Sequence, residues 1–493
     1  MTLKRALLGR VILPAAGWLG PLDSVARMEA MLAADAMPPA AREALVLQRL
    51  RELVAHAARE TVHYREALAG TGLEGGDLGS LADVVRLPVT TKADLRRGFP
   101  ERQLARARRG RWLRWSNTSG TTGRPLVLAQ DAADISAKYA SKLWSRRVAG
   151  VDPLGRVTRM TPNECQPCLP SGERGLSLRS LARAPGPTAY LFIEDALVNR
   201  LVHGRAMLPP LLQHGRLPAP WELDRCLERI ETEAPDLLVI YPLFARLLAR
   251  HVLASGRRPP RLPGILDFSG GLLTPAMRAQ IEAGFGVRSV QCCGGCEFAR
   301  YGAACPDDPD HLHLAETHCH LEILRPDGVP CAPGELGNVI VTSLHSRALP
   351  VLRLEPGDVG RLIVAPCTCG RTTRRLQHEG RVHGLLRTAE GRWVSAREVW
   401  DALLALEGVE LFQLRQRSSR AYELDVLAAR HEALDEEAVR GKLEGLLGVG
   451  AEIALRRVES ILPEASGKLQ LVKSFTYEEF RVVGARRSAV PVN

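Results

Sequence analysis

The chain has 493 residues, 45% of them hydrophobic, and a formal net charge of +11 at pH 7. That length and apolar fraction exclude a disordered chain or a minimal scaffold and leave room for two or three packed domains. The charge is carried almost wholly by scattered arginines, and aromatics are only 5%; with no basic run interleaved with aromatics, the composition argues against nucleic acid and for small anionic substrates or an acidic partner.

At the N-terminus the apolar run Ala6–Gly9 stops at Arg10, short of a secretory leader, and no stretch of about eighteen apolar residues follows. A cytoplasmic protein without a membrane partner is expected. Eight of the eleven cysteines lie between Cys292 and Cys369. In such a compartment clustered cysteines point to metal or reactive thiols ahead of disulfides.

Apolar residues recur at helical spacing through Ala41–Val54, and Thr91 is placed to cap a helix after Leu87-Pro88-Val89-Thr90. The segment Ser116–Pro125 follows, read as a loop between two strands. Its centre, Thr118-Ser119-Gly120-Thr121-Thr122-Gly123, has four hydroxyls and two glycines. Glycines let the backbone approach a ligand, and successive N–H groups with hydroxyls form an anion site, most naturally for a polyphosphate. A plain polar turn is the simpler reading. The lysine of a Walker loop is missing.

A helix is expected over Ile135–Arg147. Residues 151–220 are rich in Pro, Gly and Arg and hold Cys165 and Cys168, a weak metal signal. Then come a helix (Trp221–Glu233), a strand (Asp236–Tyr241), a helix (Leu243–Ala254), a strand (Gly264–Gly271), a helix (Pro275–Gly284) and a strand (Val287–Gln291). This alternation predicts a parallel, doubly wound sheet whose strand ends carry the ligand site. The loops after Ile240, Phe268 and Gln291 should therefore converge.

Residues 321–364 alternate as a β-rich subdomain ending in Glu355-Pro356-Gly357-Asp358. A boundary is placed at Gly380-Arg381, dividing a large domain (1–380) from a small α+β domain (381–493). The small domain opens with a hairpin, Leu385–Val394, and a capping box at Ser395 and Glu398. Cys305, a histidine at 311 or 313, and the Cys367-Thr368-Cys369 pair make a tetrahedral zinc site. Buried thiols, or a set drawing on Cys293, Cys296, Cys319, His318 or His320, remain alternatives.

The order Ser119-Gly120-Thr121-Thr122-Gly123-x-Pro125 resembles the phosphate loop of the adenylate-forming superfamily (acyl-CoA synthetases, adenylation domains, luciferases). Leu87-Pro88-Val89-Thr90-Thr91-Lys92-x-Asp94-Leu95 resembles its phenylacetate–CoA ligase branch. Further matches follow in family order: Cys293-Gly294-Gly295-Cys296-Glu297, Glu355–Asp358, Gly380-Arg381 and Ser466-Gly467-Lys468. The chain departs from the pattern at Cys293, where the family has tyrosine, at Cys296 for Ser/Thr, and at His383 and Gly384 for the hinge aspartates.

The resemblance implies an α/β fold: a large N-terminal domain of doubly wound sheets plus a β-rich subdomain, and a small mobile α+β C-terminal lid. It implies ATP-dependent activation of a carboxylic acid, such as an aryl acid, to an acyl-adenylate, followed by transfer to CoA. A carrier protein or amine as acceptor, and an inactive ATP-binding zinc protein, stay open as alternatives. ATP would be bound by Thr118, Ser119, Gly120, Thr121, Thr122, Gly123, Gly294, Asp358 and Arg381. Glu297 would hold Mg²⁺, and Lys468 would bridge carboxylate and α-phosphate. The acid would lie against Tyr241, Ser269, Gly270, Gly271 and Cys293. The branch pattern favours His313 over His311 beside Cys305, Cys367 and Cys369 as zinc ligands, and a homodimer is common in the branch.

Overall fold

Thr91, Asp131, Thr274 and Ser395 cap four of the expected helices with their side chains in the structure, a computed structural model that describes residues 23–109, 113–118, 126–160, 206–208, 211–212, 214–262, 265–267, 271–429, 433–464 and 468–482. Three helices open it, α1 (Ser24–Asp35), α2 (Pro39–Glu60) and α3 (Val62–Leu68). The apolar stripe of α2 and Tyr64 of α3 pack on Leu344 and Leu352 of the large domain. The short α4 (Lys92–Arg96) begins at Thr91, whose side chain accepts from the Asp94 N–H while Asp94 reaches back to the Thr91 N–H.

Strands β1 (Arg114–Asn117) and β2 (Val127–Gln130) form an antiparallel hairpin across the glycine-rich segment, followed by α5 (Ala132–Val148). Then come β3 (Val157–Met160), β4 (Ala206–Met207), α6 (Pro220–Glu233), β5 (Leu237–Ile240), α7 (Pro242–Ser255), β6 (Ile265–Asp267), α8 (Pro275–Phe285) and β7 (Ser289–Gly295). Strands β4, β3, β5, β6 and β7 lie side by side and parallel. Their hydrophobic runs match burial on both faces: every residue of β5 is buried.

The last of these strands is longer than expected. The sequence pattern predicts a strand ending at Gln291, before the cysteines, but β7 runs on to Gly295 and pairs antiparallel with β8 (Ala299–Cys305). The Cys292–Gly295 segment is therefore strand, and the loop follows it. Gly294 is required there, because a Cβ would come within 1.8 Å of the Ala299 carbonyl oxygen.

Through β7 the parallel sheet continues without a break into the β-rich part: β9 (Asp308–Leu314), β13 (Arg375–Arg381), β12 (Asp358–Ile363), β11 (Leu336–Ser343) and β10 (Cys319–Leu324). The two regions separated in the sequence reading share one mixed eleven-stranded sheet.

The C-terminal part starts with a small hairpin, β14 (Leu386–Arg387) and β15 (Trp393–Val394), and α9 (Ala396–Leu404). Its four-stranded sheet has the order β18 (Glu452–Arg457), β17 (Ala421–Ala428), β16 (Val409–Gln416), β19 (Val472–Lys473), with α10 (Glu436–Leu447) packed beside α9. One hydrophobic core joins this unit to α7 and α8. The fully buried Arg246 of α7 ties them further: Nε donates to Gln280 Oε1 (2.6 Å), Nη1 to Glu410 O (2.8 Å) and Nη2 to Val409 O (2.8 Å). A guanidinium suits this task, since its planar fork satisfies several carbonyls at once. No described helix is long and apolar enough to cross a membrane.

Candidate active site

The segment 87–95 reaches the site through backbone pairing. Thr90 N–H donates to Arg353 O and Glu355 N–H to Thr90 O, both at 2.9 Å, three residues before Asp358. Arg353 itself sits at φ 42°, and its guanidinium is held by both oxygens of Glu322 at 2.9 Å. This over-determined strut places Lys92, at the start of α4, beside Glu297.

Lys92 Nζ lies 3.2 Å from Glu297 Oε1, with Glu297 only 3% exposed. Burial opposes ionisation of this carboxyl, but Lys92 and then Lys138 outweigh it and hold Glu297 below the usual carboxylate range. Lys138, buried on α5, donates to the Cys296 carbonyl at 2.8 Å and so fixes the turn that presents Glu297. Gly295 leaves room for the carboxylate, since a Cβ there would stand 2.6 Å from Glu297 Oε2.

Asp358 opens β12 opposite Arg381 at the end of β13. Arg381 Nη1 donates to Asp358 Oδ1 at 2.8 Å, and the Tyr301 hydroxyl of β8 donates to Oδ2 at 3.0 Å. His378 Nε2 stands 3.6 Å from Oδ1. Burial again opposes the charge, and Arg381 with His378 reverses it, so Asp358 is held well below the usual range. Burial pushes the Tyr301 hydroxyl well above its ordinary value, and the Asp358 charge adds to that. Tyr301 therefore stays a donor. His383, next along, is driven down to about 3 by burial and by Arg381, so its ring is neutral.

At the base of the glycine-rich loop, Thr118 N–H donates to Leu126 O and Leu126 N–H to Thr118 Oγ1, both 2.9 Å. Ser119, Gly120, Thr121, Thr122 and Gly123 lie outside the described residues, as do Ser269, Gly270, Cys165 and Cys168. Tyr241 is buried at the end of β5, and Gly271 lies against its ring: a Cβ there would meet Tyr241 Cε2 at 2.5 Å. Gln291 Nε2 donates to Gly271 O at 3.2 Å, and Cys293 is buried two residues on. Lys468 is half-buried, with its carbonyl accepting from Glu464 N–H at 2.9 Å.

The ligand atoms of Cys305, His313, Cys367 and Cys369 all lie within 4.8 Å of one another. Cys305 and Cys367 sulfurs are 3.6 Å apart, and Cys369 Sγ is 3.4 Å from His313 Nε2. The other ring nitrogen, Nδ1, is engaged by Thr373 Oγ1 at 3.0 Å, the outer-shell arrangement that orients a metal-binding imidazole. Burial lowers His313 to about 4, leaving the neutral ring that metal coordination requires. His311 instead faces Asp308 at 2.9 Å. His318 is turned toward the Phe298 carbonyl (2.7 Å) and stacked on His345, away from this cluster. Three thiols and a neutral imidazole fit zinc in kind and number.

The residues missed by sequence reasoning are Tyr301, His378 and Lys138, together with the role of Lys92. Lys92 carried a signal, being one of few lysines in an arginine-rich chain and inside a recognised motif. Lys138 is as rare a residue but stands outside any recognised motif, and Tyr301 and His378 left no signal because their proximity to Asp358 depends on strand register.

No family model matches the chain. It is 29% identical over 346 residues to a phenylacetate–coenzyme A ligase of Thermus thermophilus, covering 69% of this chain and 70% of that one. It is 27% identical over 417 residues to the enzyme of that name from Escherichia coli, covering 82% of each. Its fold is similar to that of a 2-hydroxyisobutyryl-CoA ligase crystallised in the postadenylation state with 2-HIB-AMP, with a TM-score of 0.68 at 19% identity over 92% of each chain. The fold is that of the adenylate-forming ligases.

Proposed function

We propose that this chain, a sequence relative of phenylacetate–CoA ligases, is an AMP-forming carboxylate–CoA ligase acting on a small acid, such as an aryl acid. The observation that carries the reading is the buried, ionised Glu297 between Lys92 and Lys138, near a second buried carboxylate, Asp358, held by Arg381 and Tyr301. Buried charges of this density cost stability, and a polyanionic nucleotide gives them a use.

In this reading a substrate carboxylate oxygen attacks the α-phosphorus of ATP in line, and pyrophosphate leaves. The CoA thiolate then attacks the acyl carbon, and AMP leaves. Positioning and charge neutralisation carry both steps. Thr118, Ser119, Gly120, Thr121, Thr122 and Gly123 hold the β- and γ-phosphates. Gly294 borders the nucleotide, and Asp358 with Arg381 fixes the ribose. Lys468 bridges the carboxylate and the α-phosphate. Tyr241, Ser269, Gly270, Gly271 and Cys293 line the acid pocket. Glu297, a buried and ionised carboxylate, would hold Mg²⁺, a cation that would supply charge neutralisation at the leaving pyrophosphate. Cys305, His313, Cys367 and Cys369 would hold a structural Zn²⁺. The small domain, 381–493, rotates about the Arg381–Gly384 segment to exchange Lys468 for the acceptor.

The test is to incubate the protein with ATP, Mg²⁺ and CoA over a panel of aryl, hydroxy and alkyl carboxylic acids. AMP and an acyl-CoA thioester should form together with one acid class. Formation of ADP, or AMP formation independent of acid, overturns the reading.

A further inference from the structure

A cavity of ≈ 360 Å³ lies beyond the C-terminal end of β4, between α6 and the residues Leu208, Leu211, Leu212, His214, Arg216 and Pro218. Leu208, Leu211 and Leu212 form a buried apolar floor. Trp221 borders the cavity and is 63% exposed, far more than a core indole. Arg225 and Arg229 line the same opening, one helical turn apart. Arg225 has no ion-pair partner among the described residues, and Arg229 has only Glu233 at 3.9 Å. The one carboxylate in the lining, Glu222, is already bound by both terminal nitrogens of Arg216 at 3.0 and 3.1 Å. The two outer arginines are therefore available to an anion.

The cavity adjoins Ile461, which precedes Lys468 in the chain. Ile461 N–H donates to Gly215 O at 2.8 Å. Gly215 stands at φ +70°, and a Cβ on it would lie 2.5 Å from Ile461 O, so the two backbones touch here. From Ile461 the chain passes within seven residues to Lys468.

We propose that this cavity receives the 3′-phosphoadenosine end of the acceptor CoA, with the purine on Trp221 and the phosphates between Arg225 and Arg229. The inference rests on the reading of CoA as acceptor and adds a site for it. An indole face is a stacking platform for any purine, and guanidinium forks match phosphate oxygens. A half-open cavity with an apolar floor suits a nucleoside. The contact at Gly215 and Ile461 sets the nucleotide beside the C-terminal part of the chain, to which Lys468 belongs.

The experiment compares wild type, Trp221→Ala and the Arg225→Glu/Arg229→Glu double variant in two separate assays. One is acid-dependent exchange of pyrophosphate into ATP; the other is thioester formation as a function of CoA. Exchange should be unchanged in all three, while KM for CoA rises about ten- to a hundredfold in the double variant. Adenosine 3′,5′-bisphosphate should bind wild type in a calorimeter and fail to bind the double variant. Dephospho-CoA should be a poorer acceptor than CoA for wild type and no poorer for the double variant. An unmoved KM for CoA with unmoved binding of the bisphosphate overturns the site. Transfer to an acidic carrier protein in place of CoA, with no bisphosphate binding, also overturns it. Loss of exchange in wild type refutes the adenylation reading instead, and bisphosphate binding still decides the cavity.

Discussion

Lys92 Nζ stands 3.2 Å from Glu297 Oε1, and the two residues are brought together by a helix start and a hairpin turn more than two hundred residues apart. Lys92 is a quarter exposed, while Glu297 is buried. Lys92→Met leaves that carboxylate short of its nearest cation. It should destabilise the fold by about 1–3 kcal/mol, a figure discounted for the exposure of Lys92, and slow adenylation about tenfold or more. Adding Glu297→Gln should restore much of the stability but not the activity. Urea melts and pyrophosphate release on wild type, the single variant and the double variant give both comparisons.

Asp358 meets Arg381 and Tyr301 at hydrogen-bond distance. Asp358→Asn keeps the shape and removes the charge. KM for ATP should rise about tenfold or more, while KM for the acid stays put, since a lost charged hydrogen bond is worth about 1.5–3 kcal/mol. Initial rates at varied ATP and fixed acid check this.

The Cys305, His313, Cys367 and Cys369 donors close on one point. About one zinc per chain should copurify, and Cys369→Ser should lose it with a clear fall in melting temperature. His311→Ala, whose ring faces Asp308, should keep the metal. Metal analysis by mass spectrometry distinguishes them.

Asp35 accepts from the Trp144 indole N–H at 2.7 Å, and burial raises its carboxyl to about 7. The folded state thus keeps this proton longer than the unfolded chain, whose value is 3.8. Stability contributed by the protonated form is present below pH 4 and is lost as pH rises through about 7. Asp35→Asn should flatten that slope and raise stability at pH 8 by on the order of 2 kcal/mol. Denaturant melts at pH 5 and pH 8 test the sign.

The alternation of helix and strand over 221–291 was legible because buried parallel strands read as continuous apolar runs, and β5, β6, α7 and α8 stand where that pattern puts them. The extension of β7 to Gly295 was not. Cysteine and glycine carry weak strand signals, and it is the pairing with β8 that decides them. The sequence also placed Glu297, Asp358 and the four metal-type donors without giving their partners. Tyr301 and His378 sit on strands whose register brings them to Asp358, and register between strands this far apart in the chain leaves no mark in local pattern. Arg246 was equally invisible: an arginine on an apolar helix face looks like a surface residue until the carbonyls of Val409 and Glu410 close on it.

The most direct test of the central claim is acid-dependent exchange of labelled pyrophosphate into ATP, measured for wild type and Lys468→Ala side by side. The account predicts exchange with one class of carboxylic acid, and a loss on the order of 10²–10³-fold in Lys468→Ala with the fold intact. Equal exchange in the two proteins, or none in wild type with any acid despite ATP binding, would contradict it.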